Sequence, residues 1–350
     1  MKQKDINGTL MQYFEWYLNE PEGLWNKVIK EAQNLSNLGI TSVWLPPAFK
    51  GIGGKNEVGY GVYDLYDLGE FDQKGTIATK YGTKDEYLRA IESLKQQGIQ
   101  VYADIVLNHK MGADKEQEIV ATKCDWGNHN LEGEVEQIKA ATKFTFPGRH
   151  KVYSDFEWNW THFKAIDVNG ETGEHAIFKF KDKKWEEAVD DEFQNFDYLM
   201  GADLDFSNQE VIEECKRWGL WYQKLTRVDG FRLDAIKHID RRFYKEWIEY
   251  LRHETEKELF TVGEYWSGDI NKLHKYLEDV EGEMSLFDVP LHLNFYQASV
   301  NQEYDMSKIL EHTLVKENPN KAVTFVDNHD TQPRTSTSKF CGAMVKAICI

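Results

Sequence analysis

Gly230-Phe231-Arg232-Leu233-Asp234 runs apolar and then ends in a carboxylate. Phe260-Thr261-Val262-Gly263-Glu264 repeats the pattern, and so does Val323-Thr324-Phe325-Val326-Asp327-Asn328-His329-Asp330. A buried strand gains nothing by finishing on an unpaired acid, because an isolated buried charge costs several kcal/mol. Each acid therefore reads as the tip of a strand that points into a site shared with the others.

On either side of these stretches, strands alternate with helices. Strands are expected over residues 9–17, 42–47, 100–109, 230–235, 259–266, 285–290 and 322–330. Trp25, Val28, Ile29, Ala32, Leu35 and Leu38 recur at helical spacing, with Gly39 at the expected C-cap. Thr83-Lys84-Asp85-Glu86 and Ser207-Asn208-Gln209-Glu210 are capping boxes that open two further helices. Helices are also expected over 240–257, 271–279 and 291–312. Residues 110 to about 200 break the rhythm: they are polar, contain Gly and are dotted with Trp. A structureless loop of that length is implausible in a compact domain, so an inserted subdomain of short strands is expected.

Repeated β-α units imply a parallel sheet, either an open doubly wound sheet or a closed barrel. Asn108, His109, Asp234, Glu264 and Asp330 all fall at C-terminal strand ends, where barrels carry function. No Gly-x-Gly-x-x-Gly follows an early strand, which weakens the dinucleotide-binding alternative. The expected fold is thus an α/β (β/α)8 TIM barrel with an inserted β-rich subdomain after the third strand. The barrel spans 1–109 and 205–333, the subdomain 110–204, and 334–350 form an atypical tail.

A net charge of -17 argues against nucleic acid, whose phosphates would be repelled. No apolar run is long enough to span a membrane, and residues 1–7 lack a signal-peptide core. The expectation is a cytoplasmic monomer without membrane or nucleic-acid partners. None of the four cysteines forms a Cys-x-x-Cys pair, so no zinc or redox motif is visible. Most of the 11 Trp and 17 Tyr belong to a core, but flat aromatic faces also suit sugar rings.

Two carboxylates across a glycosidic bond are the equipment of sugar hydrolysis. Arg232 lies two residues before Asp234, on the same strand face, and keeps it ionised as a nucleophile. Glu264, longer and beside Tyr265 and Trp266, suits the general acid, whose pKa must be raised. Asp330, beside His329, remains to stabilise positive charge or hold hydroxyls. A transglycosylase with the same acids and an incomplete, impaired chain are the alternatives to a hydrolase.

Asp104-Ile105-Val106-Leu107-Asn108-His109, Gly230 to His238, Gly263-Glu264-Tyr265-Trp266 and Phe325 to Asp330 resemble the four signature regions of the α-amylase family, glycoside hydrolase family 13. Gln12 to Tyr17, Gly59 to Phe71 and Phe196 to Met200 resemble bacterial liquefying-type and cytoplasmic members more closely. The resemblance implies endo-hydrolysis of α-1,4-glucans such as starch, glycogen and maltodextrins, with retention. Asp234 would be nucleophile, Glu264 acid/base and Asp330 transition-state stabiliser. His109, Arg232 and His329 would hold the sugar, Tyr60 and Trp16 would contact it, and Lys237 with His238 would line the leaving-group side.

The same resemblance implies calcium, a hard cation that takes oxygen ligands. Asn108, Asp203 and the main-chain carbonyls of Asp197 and His238 match the family's site. Lys164 and Glu186 stand where a second metal cluster would have Asp, and an ammonium opposes a cation. One calcium is therefore expected, with Asp203 and Asp205 available for a weaker second site. Residues 339–350 depart from the family pattern. An eighth strand and a C-terminal β-sandwich are expected to be absent, leaving a seven-stranded open barrel.

Overall fold

The computed structural model of the protein describes residues 8–331. In chain order the strands are β1 Leu10–Gln12, β2 Ser42–Leu45, β3 Lys50–Gly51, β4 Val62–Asp64, β5 Gln100–Ile105, β6 His109–Lys110, β7 Lys115–Asp125, β8 Asn128–Lys143, β9 Ala165–Val168, β10 His175–Phe180, β11 Ala202–Asp203, β12 Gly230–Leu233, β13 Phe260–Gly263, β14 Ser285–Phe287 and β15 Ala322–Val323. The helices are α1 Leu24–Asn37, α2 Lys84–Gln96, α3 Gln209–Thr226, α4 Arg241–Thr255, α5 Ile270–Asp279, α6 Val289–Val300 and α7 Leu314–Glu317.

All seven strands expected from the repeating rhythm lie in one curled parallel sheet, ordered β1-β2-β5-β12-β13-β14-β15. Every residue of β2 and β12 is buried, as is all of β5 beyond Gln100, because helices cover one face and side chains fill the other. Among the described residues β1 and β15 are the sheet's edges, with a cleft between them lined in part by Leu10, Trp44, Phe287 and Phe325. The atypical tail at 334–350 lies outside the described residues.

Helix α1 buries Leu24, Trp25, Val28, Ala32 and Leu35 on one stripe, and Gly39 at φ 82 turns the chain out of it. Leu38, expected on the buried stripe, is 69% exposed because the helix has already ended at Asn37. The Thr83–Glu86 capping box opens α2 as expected. At α3 the cap is Asn208, not Ser207. The Asn208 side chain accepts from Glu210 N–H, while Ser207 Oγ donates instead to Asp205 Oδ1 at 2.5 Å.

The outer strands are shorter than the sequence suggests. β1 stops at Gln12 rather than residue 17, since its neighbour β2 offers only four residues before Pro46 and Pro47. β15 covers two residues rather than nine. Its neighbour β14 supplies only Leu286 and Phe287 as partners, and an Asx turn then takes over, with Asn328 Oδ1 accepting from Asp330 and Thr331 N–H. Asp330 thus sits in a turn seven residues past the last strand.

Between β6 and β11, which pair with each other, lies a four-stranded antiparallel sheet ordered β8-β7-β10-β9. Short strands were expected, but β7 and β8 form a hairpin of 11 and 16 residues. Its middle is buried through Ile119, Ala121, Ile138 and Ala140 at alternate positions, and it is buried again near the turn at Cys124 and His129. Between them β8 is exposed on both faces over residues 131–135, with Glu132 and Glu134 alternating with exposed Leu131 and Val135, so no buried face marks the strand.

Candidate active site

The parallel ladder sets the depth of the acids. Arg232 lies opposite Asp104 of β5 and Val262 of β13, with Asp234 and Glu264 each one step past their strand ends. Asp234 N–H donates to Ile105 O and Glu264 N–H to Leu233 O, both at 2.9 Å, so the ladder holds the two carboxyl residues in step. Ala235 follows at φ 48, a left-handed conformation rare for alanine, and turns the chain so that its N–H donates to Glu264 Oε2 at 3.1 Å.

Arg232, 1% exposed, is the centre of charge. Its Nη1 lies 2.6 Å from Asp234 Oδ1 and 2.9 Å from Asp104 Oδ1, and its Nη2 lies 2.9 Å from Glu264 Oε2. One guanidinium cannot neutralise three buried carboxylates. Burial pushes Asp234, Glu264 and Asp330 each up to about 7, burial being the largest cause, with neighbouring carboxylates adding to it and Arg232 opposing it. The Glu264 carboxyl adds to the upward shift of Asp330. Asp234, closest to the guanidinium, is the group best held as an anion.

The aromatic wall is built from Tyr60, Trp16 and His329, whose rings lie near-parallel. Tyr60 and His329 are 5.0 Å apart at 7°, Trp16 and Tyr60 5.9 Å apart at 8°. His109 Nε2 meets Tyr60 O at 2.9 Å, and burial pulls its pKa down to about 4, so it stands neutral. His329 is pulled well below its ordinary value by burial, with Arg232 adding to the effect. These residues, with Lys237, His238, Trp266, Leu199 and Met200, line a cleft of about 230 Å³ over Asp234, Glu264 and Asp330.

The structure therefore brings together the proposed acids and the sugar-contacting candidates His109, Arg232, His329, Tyr60, Trp16, Lys237 and His238. Sequence reasoning passed over Asp104. It is fully buried and accepts from Trp44 Nε1 at 2.9 Å and from Tyr60 OH at 2.8 Å, as well as from Arg232. The signal was present: an acid inside an otherwise apolar strand needs buried partners.

The metal candidates lie behind His109. Pairing of Asp203 with His109 and the bond from Leu204 N–H to Asn108 O bring Asn108 and Asp203 together. Asn108 Oδ1 and Asp203 Oδ2 are both buried without a hydrogen-bond partner. Burial, reinforced by Asp197 and Glu186, raises Asp203 well above the usual carboxylate range. Two orphaned oxygens and a strained acid fit a hard cation. Among the described residues no group of three or more His, Cys, Asp or Glu side chains has metal-holding geometry, so any such cation leans on Asn108 and main-chain oxygens. Beside it Lys164, 1% exposed, places its Nζ 2.6 Å from Glu186 Oε1 and 2.9 Å from Asp197 Oδ2.

The profile of the family described as "Alpha amylase, catalytic domain" matches residues 7–347. An α-amylase of Geobacillus stearothermophilus is 54% identical over 332 residues, 94% of this chain and 60% of that protein. A cytoplasmic α-amylase of Escherichia coli K12 is 47% identical over 333 residues, 93% of this chain and 67% of that one. The chain thus spans about 60–67% of the length of such relatives. Among solved structures, an α-amylase from Geobacillus thermoleovorans complexed with acarbose shares the fold. Its TM-score is 0.58 at 18% identity, with 93% of this chain and 62% of that chain covered.

Proposed function

The chain belongs to the α-amylase catalytic-domain family, and from that premise we propose that it hydrolyses internal α-1,4-glucosidic bonds of starch-like glucans with retention. The observation that carries the reading is the pair Asp234 and Glu264 held on the two amino groups of one buried guanidinium, beneath an aromatic wall. Carboxylates bridged by one Arg are close enough for the ~5 Å separation of a retaining pair.

Asp234 attacks the anomeric carbon as the Glu264 carboxyl proton passes to the departing glycosidic oxygen. A covalent glycosyl ester forms on Asp234. Glu264, now ionised, takes a proton from water, and the hydroxide equivalent attacks the same carbon and frees Asp234. Arg232 opposes the upward push of burial on Asp234 and so favours its anionic form. Asp330, neighbour of Glu264, favours the positive charge that develops on the sugar ring. His329, neutral, hydrogen-bonds a sugar hydroxyl; His109, its ring nitrogens held by Tyr60 O and Asn108 Nδ2, presents its ring to the sugar rather than a hydrogen bond, and Lys237 with His238 line the side from which the leaving chain departs.

The barrel reading and an inserted subdomain at 110–204 belong to the same proposal, supported by the curled sheet and the separate antiparallel sheet. So does one calcium, held by Asn108, Asp203 and the main-chain carbonyls of Asp197 and His238; bound there it supplies the positive charge that buried Asp203 lacks and ties the insertion to the barrel. Lys164 already occupies the adjoining carboxylates with its own ammonium, which supports a single metal. A cytoplasmic location is supported by the likeness to the Escherichia coli relative.

Incubation of the chain with soluble starch tests the function. New reducing ends and a loss of iodine colour, without new linkages, are expected. Products that carry new α-1,6 or lengthened α-1,4 chains would instead establish transfer, and no change at all would refute a glucan-active site.

A further inference from the structure

The loop at 190–196 has a construction the hydrolytic chemistry does not call for. Its base is pinned to the wall of the cleft. Asp190 N–H donates to Lys237 O and Phe196 N–H to Asp190 O, both at 2.9 Å, while His238 Nδ1 meets Phe196 O at 2.8 Å. Asp190 further binds Tyr265 OH and Lys272 Nζ. Glu192 lies 2.7 Å from Lys237 Nζ, and Lys237 itself lines the cleft. On this fixed base the next residue, Phe193, has φ 53 and ψ 28, and Gln194 has φ 68.

A bulky aromatic in the left-handed region is a strained choice where Gly or Asn would sit freely. Strain of this kind persists where the surroundings over-determine it, and it concentrates at binding sites. The surroundings here do so. His129 of β8 stacks on Phe193 at 5.7 Å and 29°, and Asn130 Nδ2 donates to Gln194 O. Phe196 meets Phe193 at 4.9 Å and is itself 4.2 Å from His238, a cleft residue. Phe193 is nevertheless 38% exposed. A rigid loop thus spends conformational strain to hold a flat apolar face in solvent, two rings out from the cleft on its Lys237 side.

We propose that Phe193 is a stacking platform for an α-glucan chain that runs out of the cleft past Lys237, so that it selects long chains over short ones. The proposal rests on the glucan reading of the cleft. A sugar unit laid on the ring buries apolar C–H surface without any charged partner, which suits a neutral ligand and this strongly acidic protein alike.

The test uses the intact chain with Glu264→Gln to stop turnover, alone and combined with Phe193→Asn. Asn accepts the left-handed conformation, so the loop keeps its path and the fold its melting temperature. Calorimetric titration with maltoheptaose and maltotriose is the readout. Phe193→Asn is expected to weaken maltoheptaose binding about three- to tenfold and to leave maltotriose unchanged, and Phe193→Trp is expected to restore it. Equal weakening for both sugars, or none for either, overturns the platform. Binding is read separately from hydrolysis: a chain that binds maltoheptaose through Phe193 yet cleaves no starch would overturn the hydrolase reading and keep this one.

Discussion

The three acids compete for Arg232, and that competition fixes what substitution and pH should do. Asp234→Asn removes the nucleophile and Glu264→Gln the proton donor. Each is expected to cut starch hydrolysis by at least about 10³-fold, measured by reducing-sugar release. If either keeps near-normal turnover, the roles are misassigned. Neither should lower the melting temperature, because Arg232 retains two carboxylates, one of them Asp104. The pH response follows from the raised carboxyls. A carboxyl whose pKa lies higher in the folded chain than in the free one favours the fold while protonated and opposes it once ionised. Stability should therefore fall as pH rises from about 4.5 to about 7, the free and folded values for Glu264, and Glu264→Gln should melt higher than the parent at pH 8 but not at pH 4. Activity loses its acid over the same protonation step. The kcat/KM for maltoheptaose should decline about tenfold per pH unit above about 7; a profile flat from pH 6 to 9 would remove Glu264 as the acid.

At the scale of elements, the sequence was legible wherever one element carried one period. The seven parallel strands and the stripe of α1 fall out of apolar runs and helical spacing, and Arg232 and Asp234 were placed together by the two-residue repeat of a strand. Legibility failed where partners decide. β15 is cut short by the length of β14, and residues 131–135 of the long β7–β8 hairpin are exposed on both faces. The start of α6 was missed for a related reason. Residues 285–290 read as one strand, yet Asp288 ends it and caps the helix, with Pro290 in the first turn. Asp288 accepts from Leu291, Leu314 and Val315 N–H groups at 3.1, 3.1 and 2.7 Å, so it ties α6 to α7. Only the fold reveals that second helix as a partner. Asp288→Ala should strand three donors, two of them buried, and cost about 3 kcal/mol, read as a lower midpoint in urea with unchanged slope. A loss under about 1 kcal/mol would mean that the caps are satisfied by water.

At the scale of the whole molecule, the buried ammonium of Lys164 and the calcium proposed at Asn108 and Asp203 act where the antiparallel sheet meets the parallel one, and their contributions can be separated by experiment. The sequence showed Lys164 only as a residue hostile to a metal. The fold shows what it does instead: its ammonium sits between buried Glu186 and Asp197, where their negative charge outweighs the cost of burial and keeps its pKa above the usual lysine range. Asn108 Oδ1 and Asp203 Oδ2, by contrast, have no hydrogen-bond partner among the described residues. Removing Lys164 strands a pair of buried carboxylates, which typically costs about 3–5 kcal/mol. If the proposed calcium is bound, chelation would strand the oxygens of Asn108 and Asp203 instead. A chelator should therefore lower the melting temperature of the parent chain, and added calcium should restore it. Lys164→Met should lower it further, and excess calcium should not restore that part, since the lost cation was covalently tethered. The two shifts should add within a few tenths of a kcal/mol if the charges act independently, and fall short of the sum if Asp203 shares both. If chelation changes nothing, the calcium is not there. If calcium fully rescues Lys164→Met, then Lys164 is a substitute for a metal that this site can still accept.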